Sequence, residues 1–257
     1  MTRESGLKQQ FFVIRELTSR EIKRRYVRSY LGMVWSVLNP LLHMIVMTII
    51  FSYMFRRSIE NFPLYYLTGS IFWSFFSEST EHAMTALMDN KMLLIKAKLP
   101  KNTFVLSRVY TCLVNFGLSC IAYALILLFY RVTPSITMIV IIPALVLLMF
   151  FSLGIGYMLS ILYVFFADIK YLYGIIKTFW YYLCAIFYPI DRLPEILQNV
   201  LGYNPVYLAI YITRCGVVYG KWPEPDAWIK LAIFAAVSYI IGRMVFKSKQ
   251  NDVMQIM

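Results

Sequence analysis

Residues 20–42 read REIKRRYVRSYLGMVWSVLNPLL. Five cations fall within the first nine of these positions: Arg20, Lys23, Arg24, Arg25 and Arg28. The charge then stops, and an apolar run of membrane length follows, with Asn39 and Pro40 inside it. Three readings compete for such a stretch: a nucleic-acid-binding arm, a simple membrane anchor, or a docking surface for a cytoplasmic partner. The rest of the chain decides between them.

The chain has 257 residues, of which 60% are hydrophobic and 17% aromatic. Its mean hydropathy is +0.64. Only 15% of residues are charged, against roughly 25% in soluble domains. With several apolar runs near membrane length, this composition excludes an ordinary soluble protein and predicts an all-α integral membrane protein. No polar stretch is long enough to build a separate soluble domain. The polar N-terminal stretch and the long first apolar run do not fit a cleavable signal peptide.

Six apolar segments can be drawn, at about 32–55, 64–88, 104–130, 136–165, 171–188 and 227–246. The second turns polar halfway, and the fifth is short and aromatic. Residues 1–31 then form a cytoplasmic segment with an amphipathic interface helix, 32–246 a six-helix transmembrane domain, and 247–257 a tail. The order Thr18-Ser19-Arg20-Glu21 is a capping box, so a helix can start there. Leu7, Phe11, Ile14, Ile22 and Tyr26 fall on one broad face, although Arg15 and Arg25 intrude. With the spans in place, 18 of the 25 Lys and Arg residues lie on one side and 7 on the other. The excess of positive charge on cytoplasmic loops puts both termini in the cytoplasm. The same asymmetry accounts for most of the net charge of +12, so the nucleic-acid reading loses its support.

The longest connection on the other side covers 189–226. Its segment YPIDRLPEILQNVLGYNP places Leu193, Ile196, Leu197 and Leu201 at helical spacing between Pro194 and Pro205. A short amphipathic helix is predicted there and a second over about 206–218, both lying on the outer membrane face.

Catalytic motifs are missing. The nearest approach to a phosphate-binding loop, GVVYGKW at 216–222, has the wrong spacing and lies on the non-cytoplasmic side. The four cysteines show no metal-type spacing and read as small buried hydrophobes. No metal site is expected. Glu78 and Glu81 lie three apart within a span, with His82 beside them. Ionisable groups at membrane depth must face the bundle or a water-filled cavity. They can serve proton coupling, catalysis or a polar lining, or they can simply be hydrated in a vestibule. Aromatic residues crowd the second span (Phe72, Trp73, Phe75, Phe76) and the fifth (Phe179, Trp180, Tyr181, Tyr182, Phe187, Tyr188). Some mark the membrane interface, and others suit a path for sugar rings, whose C–H faces stack on aromatic planes. Ser152, Gly156 and Ser160 follow a small-xxx-small spacing that serves close helix packing.

Five blocks in order carry a resemblance: the opening stretch at 20–42, FPLYYLTGSIFWSFFSES at 62–79, NKMLLIKAKLPKNTFVLSRV at 90–109, VFFADIKYL at 164–172 and YPIDRLPEILQNVLGYNPVY at 188–207. Across nearly its whole length the chain resembles the permease subunit of bacterial ABC-2 type polysaccharide exporters, which move O-antigen, capsular polysaccharide or wall teichoic acid. One departure is that Ala167 stands before Asp168, where the family often has Arg. The resemblance implies a homodimer in the bacterial cytoplasmic membrane, bound to two cytoplasmic ATPase subunits that hold ATP and Mg, with no cofactor in this chain. It implies ATPase contacts from Arg20, Lys23, Arg24 and Arg28, from Lys91, Lys96, Lys98 and Lys101 in a coupling segment, and from Asp168 and Lys170. It also implies a translocation path for a lipid-linked polysaccharide along the first, second and fifth spans, marked by Trp35, Phe72, Trp73, Phe76, Glu78, Glu81, Trp180, Tyr181 and Tyr188. Rival readings are an ABC-2 permease for a small lipid or drug, a membrane enzyme acting on lipid-linked sugars, and a proton-driven transporter.

Overall fold

A computed structural model of the chain describes residues 3–27, 31–54, 61–96 and 99–256. Four cations counted above, Arg28, Arg56, Arg57 and Lys98, lie outside these residues. The described residues form α-helices and no strand: α1 (Arg3–Tyr26), α2 (Val34–Met54), α3 (Phe62–Asp89), α4 (Lys91–Lys96), α5 (Asn102–Phe129), α6 (Ile141–Phe165), α7 (Ile169–Tyr182), α8 (Glu195–Leu201), α9 (Pro205–Val217) and α10 (Pro225–Ile256). A 3₁₀ turn at Ile136–Val140 runs into α6.

Among the described residues, four stretches are long and apolar enough to cross a membrane: Val34–Phe51, Asn102–Phe129, Ile136–Phe165 and Pro225–Val253. The sequence predicts six. The second expected span corresponds to α3, whose 28 residues reach about 42 Å but whose later half carries Ser77, Glu78, Glu81 and His82. The fifth corresponds to α7, which stops after 14 residues. Helix α10 continues into the predicted tail as far as Ile256.

Helix α3 lies at the centre, touching α2, α5, α6 and α9. Leu64, Leu67, Phe76, Ala83 and Leu87 are sealed on its inner side. The most extensive contact is between α6 and α10. There the backbones touch: a Cβ on Gly242 would lie 2.1 Å from the Gly154 carbonyl oxygen, and one on Gly154 would lie 2.3 Å from that of Ser238. Gly156 does the same service toward α3, where a Cβ would come within 2.7 Å of the Ala83 methyl. Small residues at such crossings let helices associate in lipid, where apolar side chains gain little by leaving their surroundings.

Helix α2 runs through Pro40 without ending. A proline there cannot donate to the carbonyl four residues back, which belongs to Ser36. That oxygen instead accepts from the Ser119 hydroxyl of α5 at 3.4 Å. Pro40 thus removes one rung from a helix that is otherwise continuous.

At the end of α3 far from α1, the chain after α7 turns through 183–189 before α8 and α9. Helices α8 and α9 arise where the spacing predicts them, but α9 is not a surface helix. Every residue in it except Tyr211 is buried, because it is largely apolar and wedges against α3, α6 and α10. Its start is fixed by Asn204, whose side-chain oxygen accepts from the amides of Val206 and Tyr207 and from Trp180 Nε1. Within α9, Arg214 is only 3% exposed. Its guanidinium donates to the carbonyls of Tyr65 (3.1 Å), Ala185 (2.9 Å) and Ile186 (2.9 Å) and lies 3.4 Å from the Tyr65 ring centroid. Ala185 has φ 46°, a left-handed conformation that costs a non-glycine residue about 1–2 kcal/mol. The bonds to its carbonyl from Arg214 and Tyr65 hold it there.

Two outcomes follow for thermal unfolding of the detergent-purified protein. Arg214→Lys, which keeps the charge but cannot reach three carbonyls, should cost about 2–4 kcal/mol, while Arg243→Lys on the exposed side of α10 leaves the midpoint unchanged. Gly242→Leu should abolish folded protein by driving α6 and α10 apart, whereas Gly117→Leu, at a site open within 4 Å, is tolerated.

Candidate functional site

A cavity of about 630 Å³ opens between the end of α1 and helices α2, α3, α5 and α7. Its polar lining comes as stripes on otherwise apolar helices: Ser36, Asn39 and His43 on α2, Ser70, Ser74 and Glu78 on α3, and Asn115 and Ser119 on α5. Each stripe repeats at three or four residues, which puts its members on one helix face. Trp35, Tyr66, Trp73 and Tyr181 supply aromatic walls. Trp73 and Tyr181 meet edge to face with centroids 5.4 Å apart. Arg25 faces Glu78 across one end at 3.7 Å, and Tyr26 bonds Ser36 beside them. The side-chain oxygen of Asn115 is buried with no hydrogen-bond partner among the described residues. A buried acceptor of this kind calls for a donor.

Of the path residues read from sequence, Trp35, Trp73, Glu78 and Tyr181 line this cavity. Phe72 and Phe76 do not. They are 3% and 0% exposed and pack in the core, Phe72 against Phe116 and Phe76 against Phe151 and Trp180. Trp180 is taken up by that cluster and by its bond to Asn204. Tyr188 closes the turn after α7, donating to the Tyr182 carbonyl and accepting at its own carbonyl from Tyr65. Glu81 parts company with Glu78. It pairs with Lys177 of α7, which also donates to Ser77 at 3.2 Å, and it lines a second, more charged cavity of about 470 Å³.

That second cavity lies among α1, α3, α5 and Lys170. Arg108, with a side chain only 8% exposed, bridges Glu21 of α1 and Asp89 at the end of α3, the latter at 2.8 Å. Arg20 donates to the Asn90 side chain at 2.7 Å, and Thr18 donates to the Ser107 carbonyl at 3.3 Å while accepting from Thr111. The inner side of α1 is therefore clasped to the α3–α5 corner, while Lys23 and Arg24 are exposed.

Among the other expected contact residues, Lys91 is half-buried and Lys96 exposed on α4. Lys101 donates to the Gln250 carbonyl near the end of α10 at 2.5 Å. Asp168 and Lys170 are exposed at the start of α7. Arg28 and Lys98 fall outside the described residues. Sequence reasoning missed the brace residues Arg108 and Arg214, which were counted only as topological charge, and the seryl and asparaginyl stripes. The stripes were findable, since 70-74-78 and 115-119 are single-face spacings in apolar segments.

This architecture is that of a multi-pass helical membrane protein with a hydrophilic, aromatic-walled recess. Residues 13–217 match the ABC-2 type transporter family, and the chain belongs to that family. It is 30% identical over 242 residues to the O-antigen export system permease protein RfbA of Myxococcus xanthus, covering 92% of each chain. It is 22% identical over 253 residues to the polysialic acid transport protein KpsM of Escherichia coli, covering 96% of this chain and 97% of KpsM. Similarity to the capsule polysaccharide export inner-membrane protein CtrC of Neisseria meningitidis is 24% over 212 residues, with 79% and 78% covered.

The two glutamates should separate in stability measurements. The Arg25–Glu78 pair, with side chains 41% and 42% exposed, is worth under about 1 kcal/mol, so Glu78→Gln leaves the unfolding midpoint in place. Glu81→Gln leaves Lys177, 14% exposed, without its carboxylate and should cost about 1–2 kcal/mol.

Proposed function

We propose that this chain is the permease subunit of an ATP-driven exporter that carries a lipid-linked polysaccharide out of the cytoplasm. The observation that carries the reading is the recess on α2, α3 and α5. Hydrogen-bonding stripes of mostly uncharged groups and aromatic walls suit a hydroxyl-rich polymer with apolar ring faces. The family and the polysaccharide-export relatives support the same substrate class.

In this reading α3 and α7 complete a set of six spans, with both termini in the cytoplasm. Two copies face each other, so that the recesses join into a channel beside α2, whose outward face is rich in exposed apolar residues such as Leu42, Ile45 and Ile49. Hydrolysis of ATP with Mg occurs on two separate cytoplasmic subunits. They dock on the exposed flank of α1, on α4 and its neighbourhood, and on the Asp168–Lys170 turn. The lipid carrier stays in the bilayer at the flank of the channel while the glycan threads outward.

The test is deletion of the chain in its own cell, followed by complementation. The expected result is loss of surface polysaccharide with lipid-linked polymer held inside, restored by the wild-type chain together with its ATPase. Undiminished surface polymer in the deletion strain would overturn the reading, as would export by the purified chain without any ATPase. Lys23→Glu with Arg24→Glu should cut ATPase co-purification in correctly inserted protein, and unchanged co-purification would remove α1 from the docking surface.

A further inference from the structure

The clasp on α1 joins two places that the proposed export reaction must connect. One end of the connection is the corner where α3 ends, α4 follows and α5 begins, the region offered to the ATPase. The other is the charged end of the recess. Within the last two turns of α1, Glu21 is bound by Arg108, Arg25 reaches Glu78, and Tyr26 bonds Ser36 of α2. A displacement of the α3–α5 corner thus has a short rigid route to the recess. It passes from Arg108 to Glu21, along one turn of helix, and on to Arg25 and Tyr26.

We propose that Arg108 is a positioning residue for transport. It locks α1 to the α3–α5 corner so that the two move as one body, and α1 acts as a lever that opens and shuts the Arg25–Glu78 end of the recess. The inference rests on the exporter reading above. Three features favour a permanent clasp over a transient contact. Arg108 is bridged on both sides by carboxylates from different helices. The neighbouring hydroxyls of Thr18 and Thr111 are buried at 5% and 6% exposure and bonded to each other at 3.3 Å. Arg20 adds a second, parallel tie to Asn90. Arg108 is the buried member of this network, at 8% side-chain exposure against 24% for Glu21 and 46% for Asp89, and withdrawing its carboxylates would leave its charge uncompensated, so the clasp does not open cheaply during a cycle. By contrast, the Arg25–Glu78 pair at the far end of the lever is half-exposed and long at 3.7 Å, which makes it the contact that can part.

The experiment uses the complete permease–ATPase complex in proteoliposomes or in its own cell, measuring ATP hydrolysis and polymer export side by side. Arg108→Gln should leave hydrolysis close to wild type and lower export per ATP about tenfold, within the usual span of coupling free energies between sites. Exchanging the charges, with Arg108→Glu, Glu21→Arg and Asp89→Asn together, should restore much of the coupling. Unchanged export per ATP in Arg108→Gln overturns the proposal. Equal loss of hydrolysis and export, with no recovery in the exchanged variant, overturns it as well, because the residue then serves folding alone. A second arm does not require any loss of folding. In a background with the native cysteines replaced, Thr18→Cys and Thr111→Cys are oxidised to tie α1 to α5. Export that survives the crosslink supports a lever that moves with the corner, and export abolished by oxidation and recovered on reduction overturns it. Wild-type complex that exports nothing defeats the exporter reading itself, independently of either arm.

Discussion

A guanidinium bound by carbonyl oxygens and stacked on an aromatic ring holds one end of this molecule in shape. Burying a cation without compensation is among the costliest things a membrane protein can do. Arg214 meets that cost with donors aimed at Tyr65, Ala185 and Ile186. The constraint runs both ways. The carbonyls can converge only if the chain turns sharply after α7, and Ala185 accepts a left-handed conformation to make that turn. Because α9 carries Arg214, the turn also fixes where α9 enters the bundle. The start of α3, the exit of α7 and the buried α9 are consequently one construction, and the aromatic wall at Tyr181 inherits its position from it.

The opposite end is organised by the same chemistry with different partners. Arg108 is also buried, at 7% exposure, yet it is satisfied by Glu21 and Asp89 rather than by backbone. One arginine therefore freezes a turn of main chain, and the other joins three helices through side chains. Between them lies the recess, whose polar groups are mostly short and uncharged. Elsewhere in the bundle, α6 and α10 meet backbone to backbone at Gly154 and Gly242, with no side-chain layer between them.

Much of the helical layout was legible in the sequence, since long apolar runs and their loop charges leave few ways to fold. The helix at Glu195–Leu201 was readable from Leu193, Ile196, Leu197 and Leu201 between two prolines. Other features were not. Residue type alone does not reveal that Phe72 and Phe76 turn inward while Trp73 turns to the recess, because all three are aromatic. Glu78 and Glu81 share a face by spacing, but each is claimed by a different neighbour, Arg25 and Lys177, which lie far off in sequence. The partners of Arg108 and Arg214 were invisible for the same reason. Loop charge reports which side of a membrane a residue occupies and says nothing of which carbonyl or carboxylate it meets.

The carbonyl of Ser36 has a further consequence. In an ordinary helix that oxygen is held by the amide one turn on, and bending must stretch the bond. Pro40 offers no such amide, and the oxygen leans instead on the hydroxyl of Ser119, which belongs to another helix. The mechanical compliance of α2 is thus set outside α2. While α5 supplies its hydroxyl, the helix is braced at that point. The straightness of the wall that α2 offers to the recess thus depends on a side chain of α5, and the two helices are mechanically joined at the proline.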